Sequence, residues 1–399
     1  MAKKKISAIK TFLMSIVCLI VGLAVGFVAN IYLSLPESYS IPQTIQGQST
    51  SNISTGNIDS DVVVSNALSI HFLELGNKYT GDCTFVKVGN TEMLIDAGSK
   101  ASSIPHIKSY IDNYCTDGIL EYVVVTHAHE DHYAGFATNQ TTDSLFDLYN
   151  VKTIIDFGSA TNKTASNKMY ANYIRELEAE VEAGAKHYSA LDCVRGHNGA
   201  SREYYLNEEE TIYFEILYQK FYDKSTNQAH TENDYSVCFQ IREGNKKYLF
   251  TGDLEEDGEA SLISCTENEG RIGKVELYKA GHHGSKTSST ADLMAAIEPK
   301  IVCVCCCAGS SEYTTKKENQ FPTQKFIDNV YTYSPMCKVY VTTLCLNYQE
   351  ATFESFNGNI VVCSNGTMAT YVYCSNNTNT LNTTDWFLEN RRMPTQITA

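Results

Sequence analysis

The stretch Tyr122-Val-Val-Val-Thr126-His127-Ala-His129-Glu-Asp131-His132 limits most narrowly what this chain can fold into. Its first part is too continuously apolar for a half-exposed strand and reads as an interior one. That strand empties directly into three imidazoles and a carboxylate within six positions. Packing alone does not call for such a cluster, and imidazole with carboxylate is a donor set for borderline divalent metals such as zinc, manganese or iron. One short loop cannot comfortably wrap all four side chains round a single ion. Two ions are the natural reading, His127 and His129 holding the first and Asp131 with His132 the second. His71, His106, His187 and His197 stand in no motif and are read as structural or surface residues.

Strand-like runs occupy 68–73, 83–88, 92–96, 211–217, 236–241, 247–251, 275–280, 300–307 and 338–343. Between 166 and 184, Tyr170, Tyr173, Ile174, Leu177 and Val181 recur at helical spacing. Strands mixed with helices predict an α/β domain of layered sheets over 67–375. Ahead of it, residues 11–35 are 25 residues without Asp, Glu, Lys or Arg, behind the lysines of a short tip, 1–10. That run is long enough to span a bilayer and longer than the apolar core of a cleavable signal, usually about 7 to 15 residues. The lysines place the tip in the cytoplasm and the body outside the cell, anchored by one uncleaved transmembrane helix. Residues 36–66, rich in Ser, Thr, Gln and Asn, read as a flexible stalk, and 376–399 as a loose polar tail.

Charge and cysteine narrow the function. The formal charge is −15, and −19 once Lys3, Lys4, Lys5 and Lys10 are set aside, so the electrostatic footprint of a nucleic-acid binder is missing. Of fourteen cysteines, thirteen lie beyond the apolar N-terminal run, an odd number that cannot all pair internally. Cys303, Cys305, Cys306 and Cys307 read as small hydrophobes of a buried strand, Cys306 facing away from the other three.

His127-x-His129-x-Asp131-His132 after a strand resembles the signature of the metallo-β-lactamase superfamily. So do Leu94-Ile-Asp96-Ala-Gly98, Leu249-Phe-Thr-Gly-Asp253 and Lys279-Ala-Gly-His282-His283-Gly-Ser285, in matching order. The resemblance implies an αββα four-layer sandwich, Asp96 supporting the metal loop from behind, Asp253 bridging both ions and His282 completing the second site. The position after glycine favours His282 as ligand, leaving His283 free to face substrate. A narrower likeness, through His71-Phe-Leu-Glu-Leu-Gly, Gly81-Asp82-Cys83 and Asn233-Asp-Tyr-Ser236-Val, is to the hydrolase domain of the ComEC competence channel and its secreted stand-alone relatives. Two departures stand out: Gln320-Phe321-Pro322 replaces that family's Gly-His-Pro, and one membrane span cannot form a channel. The third ligand of the first metal is open between His230 and a pattern that dispenses with it in favour of Asn233 and Ser236.

Two ions about 3.5 to 4 Å apart can share a water and bring its pKa near neutrality, supplying hydroxide without a separate base. Asp131 would orient that hydroxide and Asp253 hold the ions, with His283 or Ser285 stabilising charge on the substrate. The expected activity is hydrolysis of a small or cell-wall phosphoester or phosphodiester at the outer membrane face. An extracellular nuclease, an acyl or lactam hydrolase and a degenerate adhesive domain are the alternatives.

Overall fold

The computed structural model describes residues 67–229, 231–366 and 370–395. The expected tip (1–10), membrane anchor (11–35) and stalk (36–66) lie outside the described residues. No helix among the described residues is long and apolar enough to cross a membrane.

The strands, in chain order, are β1 (Leu68–Phe72), β2 (Thr84–Val88), β3 (Thr91–Ile95), β4 (Ile119–Val125), β5 (Asn150–Asp156), β6 (Lys186–Ser189), β7 (Glu203–Tyr205), β8 (Ile212–Leu217), β9 (Cys238–Glu243), β10 (Lys246–Phe250), β11 (Leu277–Lys279), β12 (Ile301–Ala308), β13 (Lys338–Asn347), β14 (Thr352–Ser355), β15 (Ile360–Ser364) and β16 (Thr370–Cys374). They form two eight-stranded sheets, ordered β16-β15-β1-β2-β3-β4-β5-β6 and β14-β13-β12-β11-β10-β9-β8-β7. Both are built alike. An antiparallel meander, β1-β2-β3 in one and β8-β9-β10 in the other, is followed by three parallel strands, β4-β5-β6 and β11-β12-β13. Parallel neighbours need crossovers, and the helices supply them. β4 is interior as expected, hydrogen-bonded to β3 and β5.

The sheets pack face to face through aromatic pairs, Phe72 with Phe250 (6.1 Å) and Tyr122 with Phe214 (5.1 Å). Helices Ile104–Ile111 and Lys168–Ala183 join the first sheet's core through Ile104, Ile107, Tyr173 and Leu177. Helices Ala291–Ile297 and Gln324–Tyr333 pack through Leu293, Met294, Phe326 and Ile327 on the other face of the second sheet, in a separate cluster with Val302, Val304 and Cys306. The layering is therefore helix, sheet, sheet, helix. Cys303 and Cys305 face the inter-sheet core and Cys306 the outer cluster, as the alternation predicts. Cys307 sits past a register shift and joins neither. The thirteen cysteines of the body are free thiols.

Residues 376–395 correct the expectation of a loose tail. Thr384 caps a helix, Asp385–Asn390, and Leu381 and Phe387 are buried. Arg391 stacks on Trp386 and donates to the carbonyls of Pro322 (2.7 Å), Gln320 (2.6 Å) and Lys317 (3.2 Å). A few apolar anchors in an Asn- and Thr-rich segment suffice to hold it, because its polar groups find backbone partners.

Candidate metal centre

The candidate residues meet where the two sheets present corresponding strand ends. Asp96 follows β3 as Asp253 follows β10; the His127–His132 loop follows β4 as His282 and His283 follow β11. These are the points at which each sheet turns from antiparallel to parallel, the place where α/β sheets leave a crevice.

Asp96 organises the metal loop. Its Oδ1 accepts the Thr126 N–H (2.7 Å), and its Oδ2 accepts the Thr126 hydroxyl (2.7 Å) and His132 Nδ1–H (2.8 Å). His132 Nε2 is thereby aimed inward. Gly98 explains the Asp-x-Gly spacing: a Cβ there would lie 1.6 Å from the Asp131 carbonyl oxygen, so only glycine lets the loop seat. At Gly252 (φ +54°) a Cβ would meet Ser236 Oγ at 2.8 Å, and that hydroxyl accepts the Asp253 N–H.

Asp253 Oδ2 is faced by four imidazole nitrogens: His132 Nε2 at 3.2 Å, His283 Nε2 at 3.4 Å, and His127 Nε2 and His282 Nε2 at 3.9 Å. Its Oδ1 is buried without a hydrogen-bond partner. On one side, His132 Nε2 and His283 Nε2 stand 3.2 Å apart, with Asp131 Oδ2 3.5 Å from His283. On the other, His127 Nε2 and His129 Nδ1 are 3.0 Å apart.

Burial opposes charge on His132 and His283. The carboxylates of Asp253, Asp96 and Asp82 outweigh it for His132, and those of Asp253 and Asp82 for His283, raising both rings well above the usual imidazole range. Burial likewise pushes Asp253 and Asp131 up, but the facing imidazoles hold both well below the usual carboxylate range. Such a site demands positive charge at its centre. Asp82, His132, Asp253 and His283, all buried, offer ligand atoms within 4.8 Å of one another. The donor chemistry, and an Asp253 Oδ2 faced by four imidazoles, fit a divalent cation.

Two expectations change here. His283, not His282, lies in the buried cluster; its Nδ1 donates to the Cys305 carbonyl (2.9 Å), turning Nε2 inward. His282 stands at the edge, its side chain 20% exposed and its Nδ1 against Thr287 Oγ1 (3.0 Å). Both residues have positive φ (48° and 53°), so the chain coils left-handed through them and reverses the order that the position after glycine suggests. Ser285 Oγ contacts Thr287 (3.1 Å), bracing His282 from behind. Asn233 donates to Glu255 Oε1 (3.0 Å), its Oδ1 buried and unpartnered. His230 lies outside the described residues. His71, His187 and His197 lie elsewhere: His71 bonds Ser69 and Tyr110, and His187 and His197 face Asp156 and Asp192.

Residues the sequence reading passed over complete the arrangement. Lys279, 3% exposed, ion-pairs with Asp82 Oδ2 behind the cluster, and Asp82 Oδ1 lies 3.2 Å from His283 Nδ1. A lysine in a strand as short and buried as β11 was the available signal, since a buried ammonium needs a carboxylate. Tyr313 donates its hydroxyl to Asp131 Oδ2 (2.7 Å) and had no signal.

This sandwich carries candidate metal-ligating side chains at paired strand ends. A family model described as the metallo-β-lactamase superfamily matches residues 76–138 and 219–307, the two stretches that carry the candidate ligands. Over those two stretches the chain is similar to that superfamily of metal-dependent hydrolases. Two curated relatives match: ComE operon protein 3 of Bacillus subtilis, 30% identical over 74 residues, and Recombination protein 2 of Haemophilus influenzae, 30% identical over 76. The matches cover 18% and 19% of this chain but only 9% of either relative. Among solved structures, the metallo-beta-lactamase fold protein YhfI from Bacillus subtilis aligns at 10% identity with a TM-score of 0.38, covering 69% of this chain and 96% of that one. Igni18, a metallo hydrolase from Ignicoccus hospitalis, aligns at 13% identity and a TM-score of 0.35, covering 76% and 98%.

Proposed function

We propose that this chain is a binuclear metal-dependent phosphoester or phosphodiester hydrolase, tethered by residues 11–35 with its body outside the cell. The observation that carries the binuclear reading is Asp253 Oδ2, which faces His127 on one side and His132 with His283 on the other. His127, His129 and Asp253 would hold one ion; Asp131, His132, His283 and Asp253 the other. Divalent ions bound there, zinc by donor type with manganese or iron as substitutes, supply Lewis acidity and lower the pKa of water. The chain's own part is to fix the ligands: Asp96 and the Cys305 carbonyl hold the outer nitrogens of His132 and His283, and Lys279 with Asp82 balances charge behind them.

The acidic charge of −15 favours small or cell-wall phosphoesters over long polyanions. A nuclease is the second reading, favoured by the likeness to a protein named Recombination protein 2. The test is metal analysis of the purified protein, then turnover of bis-p-nitrophenyl phosphate, a phosphocholine ester, DNA and nitrocefin side by side. Small-ester turnover with weak salt dependence is expected. DNA cleavage that collapses with salt, by about 0.9 log units per log unit of salt for each phosphate contacted, would favour the nuclease. Undiminished activity in metal-free protein would sink both.

A further inference from the structure

The loop between β12 and helix Gln324–Tyr333 runs over the metal centre. Phe321 packs on His282 (5.7 Å) and His283 (6.1 Å), and Tyr313 packs on Phe321 (5.7 Å). Arg391 pins the base of this loop through the Lys317, Gln320 and Pro322 carbonyls. Phe321 therefore offers the centre a ring face and no donor.

Tyr313 is different. The residue is 56% exposed, yet its hydroxyl reaches inward to donate to Asp131 Oδ2 at 2.7 Å. That carboxylate oxygen also faces His283 Nε2, so the phenol approaches the ligand cluster from the solvent side. A phenol, with an ordinary pKa of about 10, is a neutral donor at pH 7. A neutral O–H beside carboxylates can meet an anionic oxygen without adding charge, and a tyrosine with an exposed ring and inward tip is an amphipathic contact suited to a substrate face.

We propose that Tyr313 is a catalytic residue whose hydroxyl turns from Asp131 to donate a hydrogen bond to a non-bridging oxygen of the substrate phosphoryl group. This rests on the phosphoester reading above. No bond to Tyr313 forms or breaks and its proton stays in place; the hydrogen bond strengthens as charge builds on the equatorial oxygens in the transition state.

The experiment compares full-length, metal-loaded wild type with Tyr313→Phe, whose ring packing is preserved. Metal content and melting temperature are measured first, then inorganic phosphate and orthovanadate binding by calorimetry, then turnover of p-nitrophenyl and phenyl phosphodiesters. The expected result is unchanged metal content, affinity for both anions weaker by about tenfold, and kcat lower by about 10- to 100-fold, with KM moving less. The loss should be equal for both leaving groups, because the phenol touches a non-bridging oxygen. Unchanged anion affinity with a lowered melting temperature would make the Asp131 contact a loop tether and overturn the proposal. A loss confined to the phenyl ester would overturn it in favour of a group acting on the leaving oxygen. Wild type that neither binds phosphate nor turns over any phosphodiester would overturn the phosphoester reading itself, and this proposal with it.

Discussion

Asp96→Asn is the sharpest perturbation of the metal centre, because it changes one atom's hydrogen-bonding character and almost no volume. In the wild type three donors converge on this carboxylate: the Thr126 N–H, the Thr126 hydroxyl and His132 Nδ1–H. Asparagine keeps one acceptor, and the shortest way to satisfy the Thr126 N–H is to leave Oδ1 in place. The amide nitrogen then faces His132 Nδ1 and must donate to it. His132 can accept only by carrying its proton on Nε2, the nitrogen that faces Asp253 and His283. Metal affinity should therefore fall by about 10- to 100-fold, roughly 1.4 to 2.7 kcal/mol. Stability without metal should fall as well, by about 1 to 3 kcal/mol, because the amide cannot accept from all three buried donors that converge on the carboxylate. Competition with a chelator measures the first quantity and denaturant unfolding of chelated protein the second. Wild-type metal affinity in the variant would refute the argument that Asp96 sets the tautomer of His132.

Lys279→Met leaves the buried Asp82 carboxylate without its ammonium and should destabilise the fold by roughly 3 to 5 kcal/mol. Adding Asp82→Asn should recover most of that in urea unfolding, and a double variant no more stable than the single would deny the pairing. Glu74 is buried, and burial raises its pKa to about 7 against the Ser355 hydrogen bond. The folded protein thus prefers the neutral acid, and the stability it contributes is full below about pH 4.5 and lost as pH rises through about 7, at most roughly 3 kcal/mol. Glu74→Gln should flatten the fall in melting temperature between pH 5 and 8; parallel profiles would contradict this. Protease added to intact cells should remove the body, and release of a protein beginning near residue 36 would show that 11–35 is cleaved.

Most of the interior of the fold was legible, and its margins were not. β1, β2, β3 and β8 to β13 lie where apolar runs predict them, and the helix Lys168–Ala183 follows its periodicity, although Val181 is 43% exposed. β5, β6, β7, β14, β15 and β16 were missed; β6, β7, β14 and β16 are the four sheet edges, whereas β5 and β15 are interior strands whose apolar runs were passed over. An edge strand has one bonded neighbour and partial burial, so its sequence carries little alternation to read. At the centre, ligand types and strand-end placement could be read as motifs. The exchange of His282 and His283 could not, because it depends on two positive φ angles, nor the Asp82–Lys279 pair, whose members lie 197 positions apart.

The matched construction of the two sheets divides the site between them. The first supplies His127, His129, Asp131 and His132 on the strand after its meander; the second supplies Asp253 and His283 from the corresponding place. Neither half holds the whole candidate set, so a cation bound there would act as a rivet through the sandwich. Cohesion of the halves and loading of the centre would then be linked, the fold gaining RT ln(1 + [metal]/Kd) from the ion's concentration. Metal starvation would then remove that increment and leave the sheets held by the apolar core between them, which shows as a lower resistance to unfolding and proteolysis.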